Sequence, residues 1–69
     1  MNETNRARIG KRVKELREEK GLSTRKLADI CGVNFSNIGK IERGVYNVSI
    51  DLLSKITDAL EAEILINKK

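Results

Sequence analysis

The stretch LSTRKLADICGVNFSNIGKIERG, residues 22–44, decides the fold. Ser23 has the side chain of a helix N-cap, and Leu27, Ala28, Ile30 and Cys31 follow at helical spacing, so Thr24 to Cys31 is predicted as a helix. Gly32 ends it, because the tight turn that follows needs a positive φ. Val33 then turns inward and Asn34 caps a second helix, Phe35 to Arg43, with Ile38 and Ile41 facing inward and Gly44 closing it. Two helices crossing steeply need a small residue where they touch. Ala28 stands one turn before Gly32, with Leu27, Cys31, Val33, Ile38 and Ile41 as the apolar triangle beneath. That spacing is a helix-turn-helix over residues 24–43, the alternative being an αα-corner that binds nothing.

The flanks extend the helical reading. Ile9, Val13 and Leu16 mark an amphipathic helix from Asn5 to Lys20, stopped by Gly21. Glu15, Glu18 and Glu19 lie within one turn of basic neighbours, adding a few tenths of a kcal/mol per pair. Residues 45–48 form a loop, Ser49 is a further N-cap, and Ile50, Leu53, Ile56 and Leu60 mark a helix from Ile50 to Glu61. There is no proline and no repeat, so the five glycines are the punctuation. The chain is therefore read as all-α, with four helices. Residues 62–67 are short and β-branched, and read either as a short strand or as a frayed helix end.

Composition excludes several classes. Sixty-nine residues allow one domain, read as spanning 1–69, and a domain this small gains margin from a disulfide, a metal or a partner subunit. One cysteine, Cys31, cannot pair within the chain, and with no histidine a zinc site is not expected. Cys31 reads as a small core residue. No histidine, no tryptophan, one Phe and one Tyr also argue against an enzyme, a cofactor and an aromatic-lined pocket. The start Met1-Asn2-Glu3-Thr4-Asn5 is polar, and no apolar run is long enough for a membrane. With the reduced cysteine, this leads to the expectation of a cytoplasmic protein. Residues 1–44 carry eleven basic and six acidic side chains, and residues 45–69 carry three and four. A basic first part and a near-neutral end suggest that one meets a polyanion and the other meets protein.

At this level of detail the chain resembles the lambda-repressor/Cro group, the XRE family. The resemblance rests on KELREEKGLS, on the frame LA…GV…I…IERG, and on LL.KI..AL in the fourth helix, and covers roughly residues 9–60. It implies a compact bundle of four or five helices that binds duplex DNA, usually as a dimer. Three positions depart from it. Thr24 replaces the usual Gln at the start of the second helix, Val48 replaces a Pro before the fourth, and AEILINKK replaces a short fifth helix. The first departure affects one phosphate or base contact, and the last affects how a dimer forms.

By this resemblance the helix at 35–43 is the recognition helix. Its N-terminal residues Asn34, Phe35, Ser36 and Asn37, with Lys40, are expected to meet base edges: Lys40 donating to guanine, an Asn pairing with adenine, Phe35 touching a thymine methyl. Phe35 has a second reading, a staple onto the helix start. Gly39 permits close groove approach or is simply tolerated. Phosphates are assigned to Ser23, Thr24 and Arg25 at a helix N-terminus, to Arg43, Tyr46 and Asn47, and to Arg12 and Lys14. The resemblance also implies an ion pair between Arg17 and Glu42.

A second apolar edge, Leu52, Ile56 and Ala59, with Ile64 and Ile66 beyond it, is assigned to a homodimer interface. The strand reading of 62–67 pairs that segment with its twin, making 62–69 a dimerisation segment. The ending LEAEILI is similar to Hip-type antitoxins of the same family. The expected function is a sequence-specific double-stranded DNA-binding transcriptional regulator, a repressor on a palindromic operator. The alternatives are an antitoxin with a cognate toxin, and a controller protein of a restriction–modification system.

Overall fold

A computed structural model describes residues 4–68. The order is α1 (Asn5–Glu19), α2 (Thr24–Cys31), α3 (Phe35–Glu42) and α4 (Ile50–Ala59), with no strand among the described residues. Each helix starts on a capping side chain. Thr4 accepts from Ala7 N at 3.1 Å, Ser23 from Lys26 N at 3.0 Å, Asn34 from Ser36 N at 2.9 Å, and Ser49 from Leu52 N at 3.0 Å. The last three caps are the predicted ones.

The four helices also close alike. At each end two backbone N–H groups just past the helix reach back to its last turn, for example Val33 N to Ala28 O at 3.0 Å and Ala62 N to Thr57 O at 2.8 Å. This Schellman closure needs one left-handed residue. Gly21, Gly32 and Gly44 supply it in three helices, at φ of 70°, 71° and 75°. In α4 the left-handed residue is Glu61, at φ 53°, and its carboxylate pairs with Lys20. The sequence reading carried α4 on to Glu61. The helix in fact stops at Ala59, because a non-glycine residue takes the left-handed turn.

Val13, Leu27, Ala28, Cys31, Ile38, Ile41, Leu53, Ile56 and Leu60 form the core. The apolar triangle is buried as predicted, with Val33 half-buried against it. Ile30 is not part of it: it faces solvent, because the inward stripe of α2 already holds Leu27, Ala28 and Cys31. Helix α3 packs on both α1 and α2, and α2 on α4. Gly10 sets the approach of α1 to α3, since a Cβ there would lie 2.1 Å from the Ile41 carbonyl oxygen. The sequence reading did not single out that glycine.

Two expectations about the C-terminal end change. Residues 62–68 form no strand, having no ladder partner within one chain. Ala62 packs on the core, and the following residues line an apolar groove of about 420 Å³ between α1 and α4. Ile56, assigned to a dimer interface, is 0% exposed and belongs to the core. Leu52 and Ala59 lie half-buried beside it, and Ile64 and Ile66 are exposed. Lys69 lies outside the described residues.

Candidate nucleic-acid interface

The site is built where the first turns of α2 and α3 meet one side of α1. Lys14, Thr24, Phe35, Ser36, Gly39, Lys40 and Arg43 line one open concavity of about 520 Å³, with Arg17 and Glu42 at its wall. The sequence spacing brings them together. Gly10, Lys14 and Arg17 fall on one stripe of α1, and Ser36, Gly39, Lys40 and Arg43 on the outer side of α3. Gly39 has ordinary space around it: a Cβ there would come no nearer than 3.4 Å to Arg43 Nη1.

Arg17 and Glu42 form the expected ion pair. Arg17 Nε donates to Glu42 Oε2 at 2.7 Å, Nη2 donates to Oε1 at 3.1 Å, and Nη1 donates to the Leu22 carbonyl at 2.7 Å. The side chains are only 11% and 7% exposed. The hydrogen bonds that Arg17 donates to Glu42 raise its pKa above the ordinary value, against the opposing effect of burial. The pair ties α1 to α3 and neutralises the one carboxylate lining the concavity. Lys14, Lys40 and Arg43 form no ion pair among the described residues, whereas Arg12, Arg17 and Lys20 each have a carboxylate partner. Three cations without an ion pair among the described residues therefore sit on the face where α3 is displayed.

Other predicted contacts are redistributed. Asn34 spends its Oδ1 on the cap, accepting from Ser36 N and from Ser36 Oγ at 2.8 Å. The paired donor and acceptor that adenine needs are therefore not free on Asn34. Asn37 is half-buried on α3, and Ser36 and Lys40 are exposed. Ser23 Oγ likewise holds the start of α2, leaving its hydroxyl proton free. Tyr46 is half-buried against the core, while Asn47 is exposed in the loop. Arg12 departs from the expected group: it lines the groove on the other side of α1 and pairs with Glu15 at 3.2 Å and Glu19 at 3.8 Å.

Phe35 is 42% exposed, and the guanidinium of Arg25 lies 3.9 Å from its ring centroid. Periodicity carries no signal for that pair, which joins residues ten apart on two different helices. Burial pushes the Cys31 thiol above its ordinary pKa, partly opposed by Lys55, so the sulfur stays neutral in the core. Among the described residues no group of side chains is arranged to hold a metal ion, and no helix is long and apolar enough to cross a membrane.

A short core helix, a glycine turn and a displayed second helix thus stand together, and residues 13–65 match the model of one family, Helix-turn-helix. The chain belongs to the helix-turn-helix family. Its relatives include the transcriptional regulator SinR of Bacillus licheniformis, 41% identical over 64 residues that cover 88% of this chain and 58% of SinR. The control protein C.BamHI of Bacillus amyloliquefaciens is 42% identical over 60 residues, covering 83% of this chain and 74% of that protein. Among solved structures, the restriction-modification controller C.AhdI of Aeromonas hydrophila superposes with a TM-score of 0.82 at 41% identity, covering 86% of this chain and 89% of that one. The biofilm regulator SinR in complex with DNA superposes with a TM-score of 0.75 at 41% identity, covering 80% and 89%. This helix-turn-helix chain spans 38–58% of the length of the SinR and SlrR regulators it matches.

Proposed function

We propose that this protein is a sequence-specific double-stranded DNA-binding transcriptional regulator. The carrying observation is the face that displays α3: its cations Lys14, Lys40 and Arg43 are unmatched, and its one acidic side chain, Glu42, is held by Arg17. Such a face attracts a phosphate backbone without a carboxylate repelling it. On this reading α3 enters the major groove, with Ser36, Asn37 and Lys40 toward the bases. Thr24, Arg43, Lys14 and Asn47 hold flanking phosphates, and Ser23 and Arg25 stand at the α2 N-terminus. Relatives named as transcriptional regulators, and one solved on DNA, support the reading.

An eight-residue helix is about 12 Å long and meets only about four base pairs. We therefore assign a homodimer on a palindromic operator, acting as a repressor in the cytoplasm, with its interface in the C-terminal segment. A controller protein of a restriction–modification system is a second reading of the same activity. It is favoured by the share of C.BamHI and C.AhdI that the match covers, 74% and 89%.

The test is a titration of duplexes selected from a random pool, repeated over a range of salt. If about six phosphates are held, affinity falls about 10³-fold between about 50 and 200 mM salt. An affinity indifferent to salt overturns the phosphate contacts.

A further inference from the structure

The cation–π pair between Arg25 of α2 and Phe35, which lines the concavity, gives this face a finer function. We propose that Arg25 reads a guanine edge in the major groove and that Phe35 is the positioning residue that holds it there. This rests on the DNA-binding reading above.

Arg25 lies in the first turn of α2, and Phe35 is the first residue of α3. The guanidinium carbon is 3.9 Å from the ring centroid, well inside the range of cation–π attraction. A side chain that only holds a phosphate needs charge and reach, and would extend from α2 into solvent. Arg25 instead leans across to the start of the recognition helix, the part that enters the groove. This contact with the ring uses the charge of the guanidinium and none of its N–H donors, which stay available for a base. Those donors form a fork. Guanine is the base that shows two acceptors, O6 and N7, on its major-groove edge.

The ring explains its own exposure in the same way. An aromatic side chain 42% exposed at the first position of α3 fills no core site, and its neighbour is a cation. With that face covered, Phe35 acts through Arg25. The platform also limits the rotamers open to Arg25, so less freedom is lost when the base is bound.

The experiment uses the full chain and the duplex enriched from a random pool, with each base pair of the half-site then varied singly. Wild type is expected to prefer guanine at one position near the start of α3. Arg25→Lys keeps the charge and loses the fork. It is expected to lose roughly 5- to 150-fold discrimination at that position, with the salt dependence unchanged. Phe35→Leu is expected to weaken the same position and no other, and Phe35→Tyr, which keeps a ring, to restore it. Both residues are exposed, and unchanged circular dichroism and melting temperature confirm that the variants fold. If Arg25→Lys retains every base preference, the assignment fails. It also fails if Arg25→Ala weakens all sequences equally and lowers the salt slope by about one, since Arg25 is then a phosphate contact. A wild-type chain that enriches no sequence removes the DNA-binding reading itself, and this assignment with it.

Discussion

At the scale of single residues, Arg17 is the most exacting position. Its guanidinium makes two hydrogen bonds to Glu42 and a third to the Leu22 carbonyl, in a setting that excludes most water. The net value of such a pair is small, but breaking it is costly, because the surviving charge loses its partner without regaining its hydration. Arg17→Ala is expected to destabilise the fold by about 3–5 kcal/mol. In a domain of this size that lowers the melting midpoint by more than about 12 °C in a circular-dichroism melt. The double variant Arg17→Ala with Glu42→Ala should recover part of the loss, and an unchanged midpoint in the single variant would refute the account. Family resemblance made this pair legible, since nothing in periodicity joins residues 25 apart. Gly10 was not legible at all. Its need appears only when the Ile41 carbonyl of another helix is seen 2.1 Å from where its Cβ would sit.

At the scale of helices, local chemistry carried most of the reading. Ser23, Asn34 and Ser49 are caps whose short side chains reach a backbone N–H two or three residues on. Gly21, Gly32 and Gly44 mark three of the four closures because they reach positive φ without strain. The fourth closure was missed because Glu61 carries no such signal; its carboxylate pairs with Lys20 at the end of α1, across the chain. The candidate site was legible as a set of residues but not in its internal division of labour. A sequence cannot say that Asn34 is spent on its own helix, or that Arg12 turns to the opposite face of α1. Capping thus separates two roles for Asn34. Asn34→Ala is expected to lower stability by about 1 kcal/mol in chemical denaturation while leaving the base preferences of the selected site unchanged. A shift in preference at one base pair would return Asn34 to the reading surface.

At the scale of the whole molecule, the unresolved balance lies in the apolar end. The core is closed by Leu60 and Ala62, yet Leu65 and Ile66 beyond it stay exposed, Ile66 at 96%, with Ile50 also uncovered near the groove they line. A single chain leaves that apolar surface in water, which is unfavourable in proportion to its area. A second copy of the chain can cover it, because Ile64, Leu65 and Ile66 are all exposed apolar side chains. Ending the chain after Ala62 keeps the closure of α4 and removes this surface. The truncated protein should therefore remain helical but sediment as a monomer. On the proposed homodimer, its affinity for a full palindrome should fall toward that for a half-site, because two recognition helices would no longer be held about one DNA turn, roughly 34 Å, apart. Ile66→Asp should do the same without shortening the chain, by placing a charge where the twin would pack. Sedimentation equilibrium decides: a truncated chain that still dimerises moves the interface to the half-buried edge of Leu52 and Ala59.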